Sequence, residues 1–113
     1  MSKEMLKFVK IDKENPSKRE VESRKDDFKE IYSEYIFEKA KEQSSRCSQC
    51  GVPFCQVHCP LSNNIPDWLK LTAEGRLLEA YELSQSTNNM PEICGRICPQ
   101  DRLCEGNCVI EQS

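Results

Sequence analysis

A chain of 113 residues that is 37% hydrophobic and 7% aromatic makes one domain with a modest apolar core. Its formal charge of -3 is unevenly divided: residues 1–46 hold 12 Lys and Arg against 11 Asp and Glu, whereas residues 47–113, which contain all eight cysteines, hold 4 against 8. An acidic cysteine half excludes the concentrated basic face that nucleic acid requires, no run approaches a membrane span, and the start Met1-Ser2-Lys3-Glu4-Met5 has no apolar signal segment, which predicts a cytoplasmic chain.

Residues 1–16 mix Leu6, Phe8, Val9 and Ile11 with lysines up to Asn15-Pro16 and read as an extended N-terminal arm that docks on something larger. From Ser17 to about Gln43, Phe28, Ile31, Tyr32, Tyr35, Ile36 and Ala40 recur at three- and four-residue steps, predicting one packed helix whose charges face solvent. Asn64 is placed to cap a second helix, with Pro66 and Asp67 in its first turn and a stop near Gly75. A third helix, about Leu77 to Ser86, completes a hairpin in which Trp68 is a core residue. Asn88 to Glu92 signals a further helix start that Pro99 ends, and the four-residue spacing of Cys104 and Cys108 suits one face of a last short helix. There is no convincing strand pair. The fold class is all-α: a small helical domain, residues 17–113, with two cysteine-rich loop regions around a helical hairpin.

The cysteines form two runs. The first, Cys47, Cys50, Cys55 and Cys59, reads C-x2-C-x4-C-x3-C-P; the second, Cys94, Cys98, Cys104 and Cys108, reads C-x3-C-P-x4-C-x3-C. Thiolates that share one small inorganic body must come from closely spaced loop positions, and the first run is a stretched form of the ferredoxin pattern C-x2-C-x2-C-x3-C-P. Eight thiolates divide into two sets of four, the number a cubane cluster takes, so two 4Fe-4S clusters are the expected cofactors.

Other readings of the same cysteines weigh less. A disulfide framework needs an export route, and none is apparent. Tetrahedral zinc prefers paired short knuckles, whereas only Cys47 and Cys50 make a C-x2-C and the Cys-Pro step occurs twice. A redox dithiol at Cys47 and Cys50 lacks the strand-helix-strand setting of thioredoxin-like chemistry. His58, the only histidine, reads as an exposed loop residue rather than a ligand. Arg46, Arg96 and Arg102 lie beside cysteines, where donors to cluster sulfur raise reduction potential, or else are ordinary surface charges.

Arg46-Cys47-Ser48-Gln49-Cys50-Gly51-Val52-Pro53-Phe54-Cys55, Cys59-Pro60-Leu61 and Asn64-Ile65-Pro66-Asp67-Trp68 resemble the N-terminal cluster domain of the NADPH-dependent glutamate synthase small (beta) subunit family. Thr87-Asn88-Asn89-Met90-Pro91-Glu92-Ile93-Cys94-Gly95-Arg96-Ile97-Cys98-Pro99-Gln100 and Leu103-Cys104-Glu105-Gly106-Asn107-Cys108 extend the resemblance over residues 17–113. Similar domains begin dihydropyrimidine dehydrogenase and related flavin oxidoreductases.

The resemblance implies an all-helical domain with two 4Fe-4S clusters, fused ahead of FAD- and NADPH-binding domains. Electrons from NADPH would pass through FAD and the clusters to the glutamate synthase large subunit or an equivalent acceptor. No G-x-G-x-x-G occurs here, so catalysis is expected in the parent oxidoreductase and not in this chain. Cys108 lies five residues before Ser113, so the chain reads as a piece of a longer protein. Carried onto matching positions, Cys47, Cys50, Cys55 and Cys108 would hold one cluster and Cys59, Cys98 and Cys104 the other. The fourth ligand of the second cluster is either Cys94, which stands where other members can have Thr, or a Glu or Gln beyond Ser113. The spacer from Pro99 to Leu103 is longer than is typical of the glutamate synthase subunit. That keeps a related reductase, ferredoxin:NADP oxidoreductase or dihydropyrimidine dehydrogenase-like, as an alternative parent, with a zinc-stabilised interaction module as the alternative of a different class.

Overall fold

The computed structural model describes residues 5–34 and 36–111. Among these residues six short helices follow one another: α1 Val21–Lys25, α2 Phe37–Ser44, α3 Phe54–His58, α4 Ile65–Ala73, α5 Leu77–Ser84 and α6 Pro91–Ile97, with 3-10 turns at Lys7–Val9 and Gln100–Arg102. Among the described residues there is no strand, only an isolated antiparallel bridge between Lys18 and Tyr32, and no helix is long and apolar enough to cross a membrane.

The expected hairpin is the frame. Pro66 and Asp67 occupy the first turn of α4, where proline forfeits no intrahelical bond and a carboxylate meets the positive helix end. Gly75 closes the helix at φ +83. Its N–H donates to Thr72 O at 3.1 Å and that of Arg76 to Leu71 O at 2.9 Å, the paired bonds that satisfy a helix C-terminus. Ala73 and Ala80, 2% and 7% exposed, are the buried residues of α4 and α5, and α4 also packs on α2 and α3. Asn64 does not cap through its side chain. Its Oδ1 instead accepts from Gln56 Nε2 at 2.9 Å, tying α4 to α3.

Trp68 departs from the expectation. It lies five residues before Ala73, roughly 140° around the helix, so the small-residue seam with α5 leaves the indole on another face, half-buried at a cysteine-lined cavity.

The long helix expected over residues 17–43 is broken between α1 and α2. Asp27 is the reason: its Oδ1 accepts the Lys29 N–H at 3.0 Å, and its carboxylate takes two bonds from the Arg19 guanidinium, at 2.8 and 3.2 Å. Local side-chain bonds of this kind compete with helix. Arg19 Nε also donates to Glu30 O at 2.7 Å, and the chain folds back through Arg19 N to Ile31 O and Ser33 N to Ser17 O. Phe28, Ile31, Tyr32 and Ile36 are exposed as a result, and Tyr35 lies outside the described residues.

No last helix joins Cys104 to Cys108 either. After the 3-10 turn, Glu105 N returns to Gln100 O at 2.9 Å, and Asn107 Nδ2 bonds Leu103 O at 2.8 Å and Arg102 O at 3.3 Å, taking carbonyls that a helix would need. The wrap is tight enough that a Cβ on Gly106 would lie 2.2 Å from Asp101 O.

Residues 5–14 lie against the end of α2 and the start of the first cysteine run. Leu6 N donates to Cys47 O and Lys7 N to Ser45 O, both at 3.0 Å. Gln43 holds Asp12 O and the Glu14 N–H, and Arg46 Nε donates to Ile11 O at 2.7 Å. Among the described residues only Met5, Ala73 and Ala80 are buried apolar side chains. The interior is therefore not a hydrocarbon core, and seven of the eight cysteines are half-buried within it.

Candidate metal centre

Both cysteine runs use one backbone device. A short helix, α3 or α6, ends at a cysteine followed by proline, and the two cysteines adopt nearly the same conformation: φ -76, ψ 124 at Cys59 and φ -66, ψ 128 at Cys98. Proline disfavours the helical region for the residue before it, so each cysteine is forced extended where its helix stops. The C-x2-C turn has its own device. Gln49 takes φ 53, a left-handed turn between Cys47 and Cys50.

The thiols surround two cavities. The first, about 320 Å³, is walled by Cys47, Cys55, Cys104 and Cys108 with Arg46, Ile65 and Leu69; the arm residues Lys13, Glu14 and Asn15 also line it. The second, about 570 Å³, is walled by Cys59, Cys94, Cys98 and Cys104 with Asn63 and Trp68. Cys104 stands on both walls. Cys50 lines neither cavity, and its Sγ lies 3.0 Å from Ser48 Oγ. Cys94 is exposed, one turn before Cys98 at the end of α6.

Electrostatics connects the same residues. Burial pushes the Cys55 thiol up to about 11; a backbone bond from Gln56 opposes this, and Cys108, Cys47 and Cys104 add to it. The Cys104 thiol is also pushed up, chiefly by burial, with Glu105 and Cys98 contributing. Thiols so placed stay protonated at neutral pH until a metal displaces the proton. Among the described residues, no three Cys, His, Asp or Glu side chains converge closely enough for a single metal ion. A tetrahedral zinc site would draw its sulfurs to within roughly 4 Å of one another. Walls of thiols around cavities of hundreds of Å³ suit a multi-atom cluster instead.

Sulfur-directed donors are present, but they are not the arginines. Gln49 Nε2 lies 3.4 Å and its backbone N 3.5 Å from Cys47 Sγ, and Asn63 Nδ2 lies 3.5 Å from Cys59 Sγ. Amides adjoining the cysteine runs are the sequence signal that could have singled them out. Arg96 forms an ion pair with Glu30, Arg102 is exposed, and Arg46 spans to the arm. His58 is exposed at the end of α3, with Nδ1 2.9 Å from Phe54 O.

Residues 24–113 match the family described as dihydropyrimidine dehydrogenase domain II, 4Fe-4S cluster. The chain is 72% identical over 109 residues to the glutamate synthase (NADPH) small chain of Azospirillum brasilense, covering 96% of this chain and 23% of that one. It is 49% identical over 110 residues to the small chain of Escherichia coli K12, with 97% and 23% covered. To that of Halomonas elongata it is 48% identical over 105 residues, with 93% and 22% covered. The chain thus spans less than a quarter of the length of these relatives.

Proposed function

The chain belongs to the dihydropyrimidine dehydrogenase domain II, 4Fe-4S cluster family, and from that premise we propose that it is an electron-transfer domain with two 4Fe-4S clusters, part of a glutamate synthase (NADPH) small subunit. The observation that carries this reading is the pair of thiol-walled cavities meeting at Cys104 in a domain with almost no apolar core.

When bound, such a cluster takes up and returns single electrons without making or breaking a bond to substrate. The chain's own residues supply the thiolates, exclude solvent and place the two sites side by side. Cys47, Cys50, Cys55 and Cys108 hold one cluster. Cys59, Cys98 and Cys104 hold the other, completed by Cys94 or by a carboxylate or amide side chain that follows Ser113. Small movements of Cys50 and Cys104 accompany loading, since Cys50 stands off the first cavity and Cys104 borders both. The sets are crossed, so neither run completes a site alone.

The glutamate synthase (NADPH) names of the relatives support the wider assignment. In it, residues 1–16 are a docking arm and residues 17–113 the cluster domain of a cytoplasmic oxidoreductase whose other domains bind FAD and NADPH. Those domains would take hydride from NADPH, and the thiolates of this domain would hold the clusters through which the electrons pass one at a time toward the large subunit, where 2-oxoglutarate and the amide nitrogen of glutamine would become glutamate.

The test is anaerobic preparation of the full-length protein with assay of iron and acid-labile sulfide and EPR after reduction. A reducible paramagnetic centre with matching iron and sulfide is expected. A colourless protein holding only stoichiometric zinc overturns the proposal in favour of a zinc-stabilised interaction module.

A further inference from the structure

Two side-chain amides stand at the first cysteine run, Gln49 beside Cys47 and Asn63 beside Cys59 on the wall of the second cavity. Gln49 reaches Cys47 Sγ at 3.4 Å and Pro66 O at 2.7 Å through the same Nε2, so α4 fixes the direction of its second N–H. Asn63 Nδ2 reaches Cys59 Sγ at 3.5 Å, and the Asn63 Oδ1 accepts a hydrogen bond from Thr87 Oγ1, three residues beyond α5. Each amide thus has a second partner that orients it, Pro66 on α4 for Gln49 and Thr87 beyond α5 for Asn63. Neither is a ligand in the sets given above.

We propose that Asn63 and Gln49 are separate potential-setting residues, Asn63 for the cluster held through Cys59 and Gln49 for the cluster held through Cys47, with Thr87 positioning the Asn63 amide. This rests on the electron-transfer reading above. The physical basis is that reduction adds one electron, which increases the negative charge shared with the thiolate sulfurs. An N–H pointed at sulfur stabilises the reduced form more than the oxidised one, and its removal lowers the potential. Because the two donors reach cysteines of different clusters, each acts on one cluster.

The experiment is an EPR-monitored redox titration of the full-length protein, loaded anaerobically, as wild type and as Asn63→Leu, Asn63→Asp, Gln49→Met, Thr87→Val and Thr87→Ser. At the wild-type midpoint, Asn63→Leu is expected to lower the reduced-to-oxidised ratio of one signal about threefold or more, on a scale of 59 mV per tenfold for one electron, while the other signal stays in place. Gln49→Met is expected to move the other signal. Thr87→Val shifts the same signal as Asn63→Leu by less, and Thr87→Ser restores it. Asn63→Asp, which keeps the shape of the residue and lowers the same signal, guards against a folding defect in the leucine variant. Full iron content with neither signal moved, or both signals moved alike by each variant, overturns the inference while leaving the electron-transfer reading intact. A wild-type protein with no reducible centre overturns both.

Discussion

Arg46, immediately before the first cysteine, donates from Nε to the carbonyl oxygen of Ile11 at 2.7 Å, and the residue is only 7% exposed. This bond, with the two that Gln43 makes to Asp12 and Glu14, turns the N-terminal arm into one wall of the cavity around Cys47, Cys55 and Cys108. Deletion of residues 1–15 is therefore expected to speed loss of iron to a chelator severalfold from the first cluster and not from the second. Arg46→Met removes this donor from the Ile11 carbonyl, at a cost of about 1–3 kcal/mol in thermal unfolding. Equal release from both clusters after the deletion would contradict the wall.

Gly106 admits no side chain. The Cβ of alanine would meet Asp101 O at 2.2 Å, and a backbone oxygen cannot swing aside as a side chain can. Gly106→Ala is expected to open the 100–106 wrap, destabilise the loaded protein by about 1–3 kcal/mol, and weaken both sites, because Cys104 and Cys108 flank the wrap. Unchanged Tm and iron content in this variant would show that the wrap is not needed.

Metal-free protein should weaken in alkali. Burial, seconded by neighbouring thiols, raises Cys55 from the ordinary 9.0 to about 11, and Cys104 moves in the same direction. Between those values the unfolded chain binds fewer protons than the folded one. Stability is thus fully retained below about pH 9 and falls as pH rises toward 11. Thermal unfolding of the metal-free chain across that range checks the sign, with Cys55→Ser expected to flatten the decline. A Tm that rises between these limits would reverse the argument.

Trp68 is the only tryptophan and lines the second cavity. Its emission is expected to be quenched as the second cluster is loaded, and to recover when Cys59 and Cys98 are both replaced by alanine even with the first cluster in place. Emission that follows the first cluster instead would place the indole elsewhere.

The hairpin was legible because its signals are local: Pro66, Asp67 and Gly75 each act within a turn of where they stand. The end of α6 before Pro99 was legible for the same reason, since proline dictates the conformation of the residue before it. The helix over residues 17–43 was misjudged because an apolar stripe says nothing about what covers it. Asp27, reaching Lys29 N and Arg19, made the local bonds that interrupt it. The turn through Gly106 and Asn107 replaced the last helix by the same kind of competition. Gln49 and Asn63 went unrecognised as sulfur donors because their second partners, Pro66 and Thr87, are 17 and 24 residues away and are brought close only by the folded hairpin.

The claim on which the rest depends is that the two runs share their ligands crosswise, and counting iron in Cys108→Ala and Cys94→Ala of the full-length protein tests it most directly. Wild type is expected to hold about eight iron atoms per chain. Cys108→Ala should fall to about four and lose one EPR signal entirely, with the other retained, while Cys94→Ala loses less. Equal loss of iron from the two variants, or wild-type content in Cys108→Ala, would contradict the account.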